Sequence, residues 1–531
     1  MIDQFWVWAL WIAPCLAAVP AAKGLMHLFQ LGSYQFGGFY GSLVRRWKQE
    51  LLPGLILSIG SFALCVGADY LSRGGQRIWL PLGALLTLVL GLVIGKLVHS
   101  GKSSVKPLQY TARLKRLVVA MALTMLLLGW LLWLVMPVLG LSCLLPAFLP
   151  LWLALAGLLV WPIERLIRAR FERDARRLLD EQTGLIRIGI TGSYGKTSVK
   201  FFLDTLLRQR YSVLATRGSF NTPMGVTRVI REDMQPAHRV FIAEMGARHR
   251  RDIRDLCQLV KPSIGILTAI GPQHLETFGS LEAVRDTKYD LIASLPADGL
   301  AVFYNDQGVC KELYDKTDKP KLIVGQPGDD MWAEDLQLSY AGSAFTLCLK
   351  DGTRLKVSTT LCGEHNVGNI LLAAATARHL GLSDVQLQRG IGLLQAVQAR
   401  FKPEQGPMGS TIINNGFNAS PESSRASLQL LASFPGRKIV VTPGFVELGA
   451  LEKSYHEALG EHIAGAADLA LLIGHKRSLP IREGLLKAGF APENIKVFIS
   501  LKEAQAYLEG IRQAGDVILY ENDLPDQYSE K

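Results

Sequence analysis

Ile186-Arg187-Ile188-Gly189-Ile190-Thr191-Gly192-Ser193-Tyr194-Gly195-Lys196-Thr197-Ser198 reads as a strand, a glycine turn and the start of a helix. The run Ile186 to Ile190 predicts a buried strand, and the apolar spacing from Thr197 to Leu207 predicts a helix. A turn of this kind aims backbone N–H groups at one point, at the positive end of a helix, which suits a phosphate chain. Thr191, Gly192, Ser193, Tyr194, Gly195, Lys196, Thr197 and Ser198 are therefore candidates for that cradle. Lys196 would reach the terminal phosphates and the Thr197 hydroxyl would meet Mg²⁺. The position five before Gly195 is Ile190, so the pattern is the shortened Thr-Gly-x-x-Gly-Lys-Thr form rather than the general one.

Outward from this stretch, the chain changes character. Its 531 residues are 49% hydrophobic, with mean hydropathy +0.21, high for a wholly soluble enzyme. The net charge of +11 is unevenly placed: residues 1–183 hold 18 Lys and Arg against 8 Asp and Glu, and the remainder is nearly balanced. That distribution points to the flanks of membrane spans rather than a nucleic-acid surface. Seven scattered cysteines without a Cys-x-x-Cys pair suggest a reducing compartment and no zinc site.

Five apolar runs, 4–22, 51–71, 78–98, 117–138 and 142–163, are each long enough for a hydrocarbon layer of about 30 Å. Arg45, Arg46 and Lys48 follow the first; Lys102, Lys106, Arg113, Lys115 and Arg116 follow the third. Arg165, Arg168, Arg170, Arg173, Arg176 and Arg177 follow the fifth, whereas the second and fourth loops are poor in cations. The positive-inside rule then places the N-terminus outside and everything after about residue 164 in the cytoplasm. Residues 24–44 read as a segment lying in the interface. Spans four and five carry no ionisable residue deep within them, so a transport pathway is not expected there.

From 184 on, strands alternate with helices: 186–191, 211–216, 239–245, 263–270 and 299–305, with a helix over 281–295. The alternation predicts a parallel sheet covered on both faces. Residues 335–360 predict a small antiparallel meander, followed by a helix over 366–380. A second α/β unit, Rossmann-like, follows with strands near 410–414, 438–442, 468–473, 496–499 and 516–520. The expected division is a membrane domain over 1–165, a basic linker over 166–183, a nucleotide-binding domain over 184–395 and a last domain over 396–531.

Polar residues fall just past strand ends, where parallel sheets place their chemistry. Glu244 ends Val-Phe-Ile-Ala-Glu, His274 follows Ile-Gly-Pro-Gln, and Lys288 lies in the next helix. Taken singly, His274 reads as a strand-end or loop histidine and Lys288 as a solvated helix lysine; only the set is informative.

That set resembles the Mur ligase family, ATP-dependent amide-forming ligases of bacterial cell-wall precursors, to which the polyglutamate ligases are related. The matching phrases are Thr191 to Thr197, Phe220-Asn221-Thr222-Pro223-Met224-Gly225, Glu244-Met245-Gly246-Ala247 and Gly271 to Ser280. Lys288, Gly363 to Asn369, Arg400-Phe401 and Asn418-Ala419-Ser420-Pro421 complete the series, in the family's order over about 184–531. The phrases are most like those of the branch that adds D-alanyl-D-alanine to a UDP-muramoyl tripeptide. The resemblance implies ATP and Mg²⁺ as cofactors. Lys196 and Thr197 would hold phosphate and metal; Thr197, Glu244 and His274 would be metal ligands. Lys288 would be carbamylated by CO₂ to support a second Mg²⁺. Lys196, Lys288 and His274 would be the catalytic set. Asn366, Asn369, Arg400 and Asn415 would contact nucleotide, and Asn221, Thr222 and Asn418 would face substrate.

Two departures matter. Membrane spans stand where the family has its UDP-sugar-binding domain, which favours a lipid-linked or membrane-proximal acceptor. The family's Asp-Ser-Tyr-Asn-Ala-Asn-Pro is here Asn415-Gly416-Phe417-Asn418-Ala419-Ser420-Pro421, so a charge is lost at Asn415. The expectation is a membrane-anchored, cytoplasm-facing ligase joining an amino acid or short peptide to a carboxylate acceptor. The alternatives are a polyglutamate-type ligase and a catalytically silent nucleotide-binding scaffold.

Overall fold

The computed structural model describes residues 2–32, 34–45, 47–74, 78–100, 107–135, 141–396, 403–415, 420–446 and 448–522. These form two compact units, one ending at Ala169 and one starting at Arg170.

The first unit is helical. Helices Trp47–Ser72, Trp79–Ser100 and Ala112–Val135 are long and apolar enough to cross a membrane, as is the segment from Leu141 to Glu181. A fifth crossing arises if helices Ile2–Ala21 and Lys23–Leu31, bent by 43° at their junction, count as one span. Pro20 sits just before that bend, where its missing N–H weakens the last turn. The segment expected to lie in the interface is this second helix plus Phe36–Arg45. Close packing comes from small residues. A Cβ added at Gly95 would lie 2.5 Å from the Pro20 carbonyl oxygen, and one at Gly83 would lie 2.7 Å from the Ala68 methyl. Leu55, Ile59, Phe62 and Val66 make one outward stripe on helix Trp47–Ser72, facing away from the helical core. The region read as a linker is not a separate segment. It is the second half of helix Leu149–Glu181, which runs unbroken through Pro162. Glu164 on this helix accepts from Arg116 Nε at 2.6 Å, tying it to helix Ala112–Val135.

The second unit holds two sheets. The first contains β1 (Ile186–Thr191), β2 (Val213–Ala215), β3 (Val240–Glu244), β4 (Ile264–Leu267), β5 (Leu300–Tyr304), β6 (Lys321–Gly325), β7 (Met331–Ser339), β8 (Gly342–Leu349) and β9 (Arg354–Thr359). Their order is β2-β3-β1-β4-β5-β6-β7-β8-β9. All pairs through β6–β7 are parallel, and β7–β8–β9 is antiparallel. The expected antiparallel meander is β7–β8–β9, and β6, which the strand pattern missed, joins it to the parallel sheet. Alternate residues of β3 serve opposite faces. Val240 and Ile242 pack with Phe202, Leu203, Leu206 and Leu207 of helix Lys196–Leu207, while Phe241 and Ala243 pack with Leu291 and Ile292 of helix Leu281–Ala293. Each fully buried Val, Leu, Ile or Phe side chain among these contributes about 2 kcal/mol. Burial on both faces is what makes these strands continuously apolar in sequence.

The second sheet runs β10-β11-β15-β12-β13-β14, from β10 (Pro403–Gln405), β11 (Thr411–Asn415), β12 (Lys438–Thr442), β13 (Leu469–Ile473), β14 (Ile495–Phe498) and β15 (Val517–Glu521). Only β10, a short edge strand absent from the sequence reading, is antiparallel. The last strand, β15, inserts between β11 and β12. This crossover brings the C-terminal end of the described chain beside Asn415.

Candidate functional site

β1 ends in the loop Gly192–Gly195, and helix Lys196–Leu207 starts at once. Gly195 is the N-cap at φ +79°, and no side chain caps the first turn, which leaves the helix end open to an anion. A Cβ at Gly195 would run into the Asn369 carboxamide, and one at Gly192 (φ +151°) into the Thr268 hydroxyl. Both positions thus require glycine for conformation and for space. The segment after β4 braces the loop. Ser193 N donates to Ala269 O at 2.5 Å, and Ser193 Oγ exchanges hydrogen bonds with Gly271 O and N, both at 2.9 Å. Thr268 Oγ1 donates to Tyr194 O, and Tyr194 OH donates to Pro272 O at 3.2 Å.

Two lysines converge on this loop. Lys196 Nζ folds back to donate to Gly192 O at 2.7 Å and Ser193 O at 2.9 Å. Lys288 Nζ arrives from helix Leu281–Ala293 and donates to Gly192 O at 2.8 Å. Lys288 is 2% exposed, not the solvated helix lysine its sequence alone suggests. Burial, reinforced by the Lys196 cation, holds its amine well below the usual lysine range.

Glu244 closes the site at the end of β3, also buried. Its Oε1 accepts from Thr197 Oγ1 and from Asn221 Nδ2, both at 3.1 Å. Lys200 Nζ lies 3.1 Å from Oε2 as an ion pair, though Oε2 has no well-aligned hydrogen-bond donor among the described residues. Lys200 also donates to Gly218 O, so it joins the phosphate-loop helix, the 216–222 segment and Glu244. Desolvation lowers the Lys200 pKa and the Glu244 charge opposes that shift. Removing this lysine would strand a buried carboxylate, a loss of about 3–5 kcal/mol. Sequence reading missed Lys200, although an inward-facing lysine among Val199, Leu203 and Leu207 is a visible signal.

The Thr197 hydroxyl and the Glu244 carboxylate bring two hard oxygens together at a half-buried point. This set fits Mg²⁺, which binds through one or two protein oxygens, substrate phosphates and waters. Among the described residues no three His, Cys, Asp or Glu side chains cluster as a metal site. His274 does end the bracing segment, at φ +55°, and its carbonyl accepts from Thr277 Oγ1 at 2.9 Å.

The remaining expected residues divide. Asn369 lies against Gly195, at the loop. Asn366 instead donates to Cys362 O at 2.8 Å, within its own helix entry. The Thr222 hydroxyl caps helix Pro223–Asp233 by accepting from Gly225 N. Arg400 and Asn418 lie outside the described residues. Asn415 sits in the second sheet, at the end of β11, where Nδ2 donates to Glu521 Oε1 at 2.9 Å and Oε2 at 3.1 Å.

Glu521 was not foreseen. It is fully buried, and Ser424 Oγ donates to Oε1 and Ser427 Oγ to Oε2. Burial pushes its carboxyl up to about 7, against the opposing pull of the Ser424, Ser427 and Asn415 hydrogen bonds; no charged side chain among the described residues contributes. The native state therefore binds this proton more tightly than the unfolded chain does. The stabilisation is complete below about pH 4.5 and is lost as pH rises through 7, about 3 kcal/mol in all. Thermal unfolding of the full chain in detergent is expected to fall in temperature from pH 5 to pH 8, and Glu521→Gln to flatten that fall. An equally steep fall in the variant would assign it to other groups.

Comparison with known proteins agrees with this layout. A family model described as the Mur ligase middle domain matches residues 190–377, and one described as the Mur ligase glutamate ligase domain matches 399–520. The UDP-N-acetylmuramoyl-tripeptide–D-alanyl-D-alanine ligase of Escherichia coli is 30% identical over 313 residues, 57% of this chain and 69% of that one. The chain belongs to the Mur ligase family. The Bacillus subtilis ligase of the same name is 28% identical over 342 residues, 64% of this chain and 73% of its own. Among solved structures, MurF from Acinetobacter baumannii aligns with a TM-score of 0.62 and 25% identity, covering 68% of this chain and 78% of that one. MurF from Thermotoga maritima in complex with ADP aligns at 0.60 and 26%, covering 68% and 81%. As a Mur ligase, the chain is an ATP-dependent, ADP-forming amide ligase with an N-terminal helical unit that precedes both family matches.

Proposed function

We propose that this Mur ligase is anchored in the bacterial plasma membrane by its N-terminal helices and works on the cytoplasmic side. It extends a peptide on a cell-envelope precursor, and the acceptor is lipid-linked or held near the membrane. The apolar helices and the arginine-rich flank of the fifth span support that placement. In this reading the membrane domain covers 1–165, and the basic stretch 166–183, which includes the second half of helix Leu149–Glu181, leads into the nucleotide-binding domain over 184–395. The last domain, 396–531, presents the incoming amine.

The observation that carries the proposal is the convergence of Lys196, Thr197, Glu244 and Lys288 on one glycine loop. An acceptor carboxylate oxygen attacks the γ-phosphorus of ATP, and ADP leaves with the bridging oxygen. The amine nitrogen of an amino acid or short peptide then attacks the acyl carbon, phosphate leaves, and the amide remains. Lys196 and the loop N–H groups hold the β- and γ-phosphates in line, and Asn369 backs the loop. Thr197 and Glu244, with His274, would hold Mg²⁺, which would supply charge neutralisation on the phosphate oxygens.

Lys288 is suited to carbamylation. Its depressed pKa favours the neutral amine that reacts with CO₂. The carbamate that forms is an anion beside the Lys196 cation, where an ammonium would be repelled. In this reading Asn221, Thr222 and Asn418 would serve the acceptor, and Asn366, Arg400 and Asn415 the nucleotide.

Phosphate release from detergent-solubilised full chain, against UDP-muramoyl peptides, lipid-linked precursors and amino acids, tests the proposal. Release that requires both an acid and an amine is expected. Release with glutamate alone would indicate a polymerising ligase, and none with any pair would indicate a silent scaffold.

A further inference from the structure

At the end of β11 this chain carries Asn415, where the family phrase carries aspartate. The adjacent strand supplies a carboxyl instead: β11 and β15 pair in parallel, with Asn415 directly opposite Glu521. Above about pH 7, where Glu521 is ionised, its carboxylate only accepts hydrogen bonds, so its two oxygens hold the Asn415 amide nitrogen toward themselves. The planar amide then turns Oδ1 away from Glu521, as the side-chain acceptor Asn415 has left to offer. An aspartate at this position would place two carboxylates about 3 Å apart, and no cation among the described residues acts on Glu521 to relieve them, so both would not ionise together.

Glu521 holds more than Asn415. Ser424 and Ser427, on the first two turns of helix Pro421–Ala432, donate to its two oxygens. Ser420 caps that helix through Ser423, and Asn522, next after Glu521, donates from its backbone to Asn415 O at 3.2 Å. Strand end and helix start are both fastened at one buried carboxyl.

We propose that Glu521 is a positioning residue for nucleotide binding. It locks Asn415 as a neutral hydrogen-bond acceptor, so that the acceptor function of the family's aspartate survives the loss of its charge. The inference rests on the reading of Asn415 as a nucleotide-facing residue.

The test compares full-length wild type, Glu521→Gln, Asn415→Asp and the double variant in detergent. Mg-ADP affinity is measured from pH 6 to pH 8.5, with thermal stability alongside. Glu521→Gln no longer dictates which way the Asn415 amide points, and an affinity loss of about tenfold is expected. Asn415→Asp is expected to lose about as much at pH 8.5 and to recover toward pH 6, where the two carboxyls share a proton. In the double variant, the amide introduced on β15 donates to the carboxylate introduced on β11, and binding within about threefold of wild type is expected. Changes in stability without any change in affinity or its pH profile would overturn the proposal, as would a double variant no better than the worse single one. Failure of wild type itself to bind Mg-ADP would remove the ligase reading first, and this proposal with it.

Discussion

Lys288→Ala is expected to lower phosphate release by about 10³-fold while leaving the protein folded. The amine is buried and its hydrogen bond goes to Gly192 O, which also receives Lys196 Nζ, so its loss leaves that carbonyl with a partner. Burying a lysine is itself costly, so removing the amine is not expected to destabilise the fold. Lys288→Met, which keeps the volume without the amine, is expected to fail equally. Formate or acetate added to Lys288→Ala enters the space left by the side chain and is expected to restore a measurable fraction of the rate, because the missing group is then a carboxylate. Full activity of Lys288→Ala without any added acid would end the carbamate reading. Loss that no small acid repairs, matched by full activity of Lys288→Met, would reduce the lysine to a space-filler.

Lys196→Ala is expected to cost about as much, about 10³-fold in kcat/KM for ATP, through loss of a positive charge on the terminal phosphates. The side chain lies on the carbonyls of Gly192 and Ser193 in the phosphate loop. Its replacement leaves Gly192 O bonded to Lys288, and the brace from Ser193 to Gly271 does not involve it. Mg-ADP binding and thermal unfolding measured alongside separate the two losses: binding is expected to weaken and unfolding to stay nearly unchanged. Lys196→Arg is expected to remain impaired, since the broad guanidinium does not fit where a compact ammonium does. Activity of Lys196→Ala close to that of wild type would remove the phosphate-loop assignment.

Much of the site was legible because its signals are local. A glycine turn between an apolar strand and an amphipathic helix is short-range information, and Glu244 shows itself by ending a run of buried residues. Lys288 was legible only as one of a set; that it is buried depends on the helix packing its Nζ under Gly192, 96 residues away. Thr222 and Asn366 matched the family's phrases, yet their hydrogen bonds serve a helix cap and a helix entry. Local backbone groups compete for such short polar side chains, and residue type alone does not reveal which partner wins. The continuity of helix Leu149–Glu181 was hidden for a related reason. A change from apolar to basic composition looks like a boundary, but arginine propagates a helix as well as leucine does.

Sequence by itself determined the strand–loop–helix that suits phosphate, the order of the two α/β halves and the apolar segments before them. Each follows from periodicity or spacing within a short window of residues. Only the tertiary structure decided that β6 carries the parallel sheet into the β7–β9 meander, that Lys200 pairs with Glu244, and that Glu521 faces Asn415. Those contacts join residues far apart in the chain through strand order. Strand order is set by how whole sheets bury their faces, which no single stretch of sequence contains.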